Sequence, residues 1–321
     1  MVRKALTDAT AAETSFVKDF CVPFLVSSQN DDGGWGFHPA AESRVEPTCW
    51  ALRALRNVPV TISQEGLRRG REFLHHQQLA DGSWPSSRGE RTGSWVTSLA
   101  CSILSDATES AASVTAGLKW LCNDYPRDSS LWRRILGHFR SDASISEHDD
   151  SFRGWGWTPR TSSWVEPSSL AILALRECPE ESRPATASER CALAVGLLYD
   201  RMCSGGGWNC GNPLIYGVPG EPLVLPTAWA LLAVRDLPVH EKKSESLAWL
   251  ERSYESIQSP ASMSVARIAL ESYGIGLPAA KRRLCELFDA QEFLRTTQVV
   301  SWTCLALSPK RNWFAPREFS S

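Results

Sequence analysis

The sequence predicts an all-α fold of paired helices, and three observations carry that prediction. An octapeptide pattern recurs as TCWALRAL from Thr48, TSLACSIL from Thr97, SSLAILAL from Ser168 and TAWALLAV from Thr227, with weaker copies MSVARIAL from Met263 and VSWTCLAL from Val300. A Gly/Trp turn precedes each of the first four copies, around Trp35, Trp84, Trp155 and Trp208. Between the copies lie stretches with apolar residues at helical spacing. The chain therefore alternates an outer amphipathic helix, a loop and an inner apolar helix. Six such pairs stacked side by side bury a core that one pair could not.

Taken in order, the amphipathic stretches are 16–28, 64–78, 112–122, 190–202, 244–254 and 281–293. Each leads toward the next apolar helix. Those helices open on alanine- and leucine-rich runs with good intrinsic propensity. In the first copy Glu46-Pro47-Thr48 precedes the run. Proline suits a first helical turn, where its missing N–H would be unpaired anyway. The second Val-Glu-Pro, at 165–167, repeats the device. The segment 125–149 breaks the rhythm; Trp132-Arg133-Arg134-Ile135-Leu136 reads as a short basic amphipathic helix, either an insertion packed on the body or a peripheral contact with a membrane or partner.

Composition narrows the function. The chain has 321 residues, 34 basic and 36 acidic, for a net charge of −2. No block of like charge marks a nucleic-acid surface. No run is long enough to span a bilayer, and the first fifteen residues hold no long apolar stretch of the secretory kind. The ten cysteines lack a C-x-x-C pair and several sit in apolar helical runs, so they read as reduced, buried small hydrophobes of a cytoplasmic protein. The fourteen tryptophans are an excess. Most read as packing residues whose indole N–H meets a loop carbonyl. Trp50, Trp95, Trp164 and Trp229, at or just inside helix starts, are the candidates for an aromatic wall around an apolar or cationic guest.

The first two turns read Gln29-Asn30-Asp31-Asp32-Gly33-Gly34-Trp35 and Gln78-Leu79-Ala80-Asp81-Gly82-Ser83-Trp84. Both fit the Q-x3-G-x-W signature, and the chain resembles the prenyltransferase and squalene-cyclase repeat superfamily over about residues 14 to 308. The resemblance implies an (α/α)6 toroid, with inner helices ringed by outer ones and a cavity at one end. It also implies a single toroid domain at 14–308, flanked by an extension at 1–13 and a tail at 309–321. Class II cyclases of this superfamily carry an Asp-x-Asp-Asp motif at an inner-helix start, whose middle aspartate protonates an alkene or epoxide. Here the matching positions are Arg44-Val45-Glu46-Pro47 and Trp164-Val165-Glu166-Pro167. Glu46 and Glu166 fall at the proton donor's place, and the flanking acids are replaced. The place where protein prenyltransferases bind zinc reads Leu223-Val224-Leu225-Pro226-Thr227 and offers no ligand. The signatures of lanthionine cyclases and thioester domains are missing.

Two readings of the glutamates stand side by side. A carboxylate in a first helical turn is favoured by the macrodipole and by free N–H groups. Alternatively, an apolar pocket raises its pKa and keeps a proton ready for a polyene, with indole faces stabilising the cations that follow. His38 would tune Glu46 or act as a base. Arg44 and Arg160, in loops before apolar helices, are either solvated or grip a diphosphate or carboxylate. Asn209, Cys210 and Tyr216 would line the same mouth, beside the stiff loop 217–222. Asp31, Asp32, Asp149 and Asp150 precede glycine turns and read as turn formers, or as ligands for Mg²⁺.

The expectation is a terpenoid-cyclase-like enzyme, an isomerase or lyase acting on a small hydrophobic isoprenoid or other polyene. No metal or other cofactor is expected unless a diphosphate substrate brings Mg²⁺. The alternatives are a non-catalytic toroid that binds a lipid or a protein, and a cyclase of a non-terpenoid metabolite. Nothing in the sequence sets an oligomeric state.

Overall fold

A computed structural model describes residues 15–58, 62–126, 149, 151–215, 217–238, 240–277, 280–290, 295–308 and 314. The Trp132–Leu136 segment, Asp150, Tyr216 and the extension 1–13 lie outside the described residues, as does the 309–321 tail apart from Phe314. The described residues are mainly helical, with one hairpin of two-residue strands among them. It divides into two compact units, one of residues 1–77 and 256–313 and one of 78–255 and 314–321.

In the first unit a π-helical turn, Val17–Cys21, continues as α1, Val22–Ser27. Pro23 removes a backbone donor near the start of α1, which fits the irregular turn before it. Then come α2, Val45–Asn57, and α3, Gln64–Gln77. In the second unit follow α4, Val96–Leu104; α5, Ala111–Asn123; α6, Val165–Glu177; and α7, Ala187–Asp200. A hairpin of β1, Leu214–Ile215, and β2, Val218–Pro219, is antiparallel, with Leu214 opposite Pro219. Two helices complete this unit, α8, Val224–Val234, and α9, Glu241–Ser253. The first unit closes with α10, Pro260–Ser272; α11, Ala280–Ala290; and α12, Thr297–Leu307.

The apolar repeat copies are α2, α4, α6, α8, α10 and α12, and they are buried on almost every side. Every residue of α4 is buried. In α12 only Gln298 is not. Within the first unit α12 packs on α2 and α10; within the second, α6 packs on α4 and α8. Among the described residues no helix is long and apolar enough to cross a membrane.

The turn tryptophans hold each strong repeat together at two points, and three of them at a third. The backbone N–H of Trp35, Trp84, Trp155 and Trp208 donates to the hydroxyl of Thr48, Thr97, Ser168 and Thr227 at 2.9, 3.0, 2.9 and 2.8 Å. That bond explains the recurring Thr or Ser, since a buried N–H left unpaired is costly. The tryptophan carbonyl accepts from the chain at the helix start: Arg44 N to Trp35, Ser94 N to Trp84, Trp164 N to Trp155 and Leu223 N to Trp208. The indole N–H of Trp35, Trp155 and Trp208 donates to the carbonyls of Leu25, Leu121 and Leu198. These acceptors lie in the last turns of α1, α5 and α7, not in loops as expected, because terminal helical carbonyls have no i+4 partner within the helix.

The two weak copies show the converse. Where the glycine turn is missing, the residue before the helix caps it: Ser259 accepts from Ser262 N and Thr296 from Val299 N. In the four strong copies the N-cap residues Arg44, Trp95, Trp164 and Leu223 make no side-chain cap. The signature glutamines serve as cross-ties. Gln29 Nε2 donates to the carbonyls of Gly33 and Gly66, and Gln78 Nε2 to those of Gly82 and Ser113. Each thereby fixes its own turn to the first turns of the next amphipathic helix.

Candidate active site

Glu46 and Glu166 are both the second residue of a thirteen-residue helix, and each stands out as half-buried among buried neighbours. Aligning the repeats puts Trp95, the N-cap residue of α4, and Gln298 of α12 at the same position.

In the second unit, Glu166 lies at the start of α6. Trp164, 38% exposed, precedes it as the N-cap residue. The loop after Trp208 closes on this helix start: Val165 N donates to the Cys210 carbonyl at 3.2 Å, and Gly211 approaches the backbone of 163–165. No hydrogen bond or ion pair from a described residue reaches the Glu166 carboxylate. Burial alone raises its pKa above the ordinary carboxylate value. The Cys210 thiol is raised as well, first by burial and then by the neighbouring Glu166. The helix terminus favours the anion and burial favours the acid. Burial is the cause that raises the Glu166 carboxyl.

In the first unit, the Glu46 carboxylate accepts from Gln298 Nε2 at 2.7 Å. The donor comes from α12, which is tied to the first turn again where Thr297 Oγ1 donates to the Gly36 carbonyl and Thr297 N to that of Phe37. Trp50 is buried edge-to-face on Trp302, with ring centroids 5.5 Å apart. Arg44 pairs with Glu42 at 3.2 Å. His38 is exposed, and its carbonyl accepts from Ala41 N in the turn.

The remaining predicted site residues fall as follows. Trp95 meets Trp157 edge-to-face at 5.0 Å, and its backbone N–H donates to the Trp157 carbonyl. Trp229 is buried against Phe314 at 5.7 Å. Arg160 is exposed and has φ of 59°, matching Ala40 at 62° in the first turn. Each follows a proline and lies four residues before its helix cap, so this backbone conformation belongs to the turn. Asn209 is buried, and its amide serves its own loop, donating to the Asn212 carbonyl and accepting from Gly211 N and Asn212 N. Asp32 and Asp149 accept from Gly34 N and Ser151 N, as turn formers do. Among the described residues, no group of three or more His, Cys, Asp and Glu side chains is placed to hold a metal ion. Gln298 was missed by sequence reasoning, although its place in the last repeat copy was a usable signal.

The chain is similar, in sequence and in fold, to the type II terpene cyclases, with the all-α, α/α-toroid fold. Drimenyl diphosphate synthase of Streptomyces showdoensis is 24% identical over 247 residues, covering 65% of this chain and 45% of that protein. Lanosterol synthase of Mus musculus is 37% identical over 75 residues, 19% of this chain and 10% of that enzyme. The matches thus span less than half the length of these relatives. A variant of the type II terpene cyclase MstE from Scytonema, in complex with geranylgeranyl dihydroxybenzoate, superposes with a TM-score of 0.58 at 14% identity, covering 92% of this chain and 79% of that one. A protein from Actinoplanes superposes with a TM-score of 0.60 at 13% identity, covering 93% and 98%. No protein-family model matches the chain.

Proposed function

We propose that this protein is a cyclase that starts the cyclisation or isomerisation of an isoprenoid chain by protonating it, with Glu166 as the acid. The observation that carries the reading is the Glu166 carboxyl: half-buried, without a hydrogen-bond or ion-pair partner among the described residues, and raised in pKa by burial alone. Such a group holds its proton at a pH where an exposed carboxylate has lost it, which is the tuning a general acid needs. Transfer of that proton to one carbon of an alkene leaves a cation on the other. The next double bond attacks this cation, and loss of a proton ends the sequence. The Trp164 indole, beside the acid, offers a π face to the cation.

Glu46 receives a different role. Its carboxylate is engaged by Gln298, and it serves to tie α2 to α12. Likeness to drimenyl diphosphate synthase and to MstE makes prenyl diphosphates and geranylgeranyl-bearing aromatics the first substrates to try. Mg²⁺ would then arrive with a diphosphate. The test is mass spectrometry of products from these substrates and from squalene-like polyenes, comparing wild type, Glu166→Gln and Glu46→Gln. Product abolished by Glu166→Gln alone supports the assignment. Unchanged product from both variants removes both acids, and no product from any polyene favours a non-catalytic lipid- or protein-binding role.

A further inference from the structure

Three backbone hydrogen bonds order the apolar helices inside each unit. In the second unit Trp95 N donates to the Trp157 carbonyl at 3.3 Å and Val165 N to that of Cys210 at 3.2 Å. In the first unit Thr297 N donates to the Phe37 carbonyl at 2.8 Å. Each acceptor lies two residues after a turn tryptophan, Trp155, Trp208 or Trp35. Each donor lies at the start of the apolar helix that packs beside that repeat's own. So α12 stands to α2 as α4 stands to α6, and as α6 stands to α8.

Side chains at one register position meet across such a pair. Gln298 and Glu46 each lie two residues before their octapeptide, and they share the 2.7 Å hydrogen bond. Trp302 and Trp50 each lie two residues after its first residue, and they are in edge-to-face contact. The residue that stands to Glu166 as Gln298 stands to Glu46 is Trp95. It is half-buried, and its ring is held edge-to-face by Trp157, in the loop that leads into α6. On the other flank, the same register position of α8 is Leu225. Neither α4 nor α8 carries an acidic, basic or histidine residue. From the loop after Trp208, the Cys210 thiol is a titratable neighbour of Glu166.

We propose that Trp95 is a positioning residue: it fills the place of a hydrogen-bond donor beside Glu166, and so leaves that carboxyl available as an acid where Glu46 is engaged. The proposal deepens, and rests on, the reading of Glu166 as the acid. An amide at this register position stabilises the carboxylate and ties two helices. An indole that makes no bond to the carboxyl leaves it to burial, which favours the protonated form. One residue type on the neighbouring helix thus separates two glutamates that occupy the same place in their own repeats.

The experiment compares a donor with a non-donor of nearly the same size, Trp95→Gln against Trp95→Met, in the full chain. NMR titration of the glutamate carboxyl carbons reads Glu166, whose signal is identified by its loss in Glu166→Gln. On the alkaline limb, the protonated fraction of Glu166 should be about tenfold or more lower in Trp95→Gln than in Trp95→Met, as a hydrogen bond to a charged group dictates. On any polyene that wild type converts, kcat should fall with it. Equal titration in the two variants overturns the proposal, as does a wild-type Glu166 that titrates like an exposed carboxylate. Should Trp95→Gln fail to fold, Gln298→Met takes its place: Glu46 should then titrate at higher pH than in wild type, and an unchanged Glu46 overturns the proposal. A titration that moves as expected while kcat does not, or while no polyene is converted, sinks the acid reading and leaves the place of Trp95 standing.

Discussion

The two Val-Glu-Pro segments begin alike and end differently. Arg44 and Trp164 enter their helices with nearly the same backbone, φ −132° and ψ 155° against φ −124° and ψ 152°. Both receive the same tryptophan turn, with Thr48 and Ser168 bonding Trp35 and Trp155. Both place a glutamate at the second helical position. Yet Glu46 meets an amide from a helix 252 residues away, and Glu166 meets none. Local sequence sets where a carboxyl group sits. What it does depends on the neighbour that arrives from the rest of the chain.

The largest expected effect tests that division directly. Glu166→Gln should lower turnover of a polyene substrate by about 10²–10⁴-fold, the usual contribution of a general acid, whereas Glu46→Gln should stay within about tenfold of wild type. Equal losses would erase the distinction. Next come the features the two regions share. Trp35→Ala and Trp155→Ala should each cost about 3–5 kcal/mol in urea unfolding, as large-to-small core changes do. Thr48→Val and Ser168→Ala leave a buried tryptophan N–H unpaired, and each should cost about 1–3 kcal/mol. Unequal costs at the two sites would mean that the turns are not equivalent.

A pH series sharpens the difference. The folded-state pKa of Glu166 is raised, so its contribution to stability is full below the ordinary carboxylate pKa and is lost as pH rises through the folded value. Glu166→Gln removes that loss. Wild type and variant should therefore differ least around pH 4, and the variant should gain in Tm as pH rises. Melting curves that stay parallel across pH would contradict the raised value. The rate of the wild type should fall on the alkaline side through the same group. The smallest effect is at the amide partner: Gln298→Ala should cost about 1 kcal/mol and leave the acid at Glu166 untouched, read by chemical unfolding and by turnover.

Much of the architecture was legible because its signals are local. The thirteen-residue spacing from turn tryptophan to hydroxyl recurs in three repeats, and the amphipathic stretches matched helices with boundaries shifted by a few residues. The site was less legible because its determinants are not local. Nothing around Val45-Glu46 names Gln298, and nothing around Val165-Glu166 announces that no donor comes. Arg160 and Asn209 looked like ligand-facing groups by residue type. One occupies a turn position that Ala40 fills in the first repeat, and the other has its amide engaged by its own loop.

The pairing of α2 with α12 has a consequence for biogenesis. The helix carrying Trp50, Ala51 and Leu52 leaves the ribosome long before the segment that covers it, since Glu46 and Gln298 are 252 positions apart. At ordinary elongation rates this apolar helix waits roughly 13–50 s for its cover. The 78–255 unit is translated in that interval and has its own partners at hand. During that interval α2 has α3 to pack on and lacks only its α12 face.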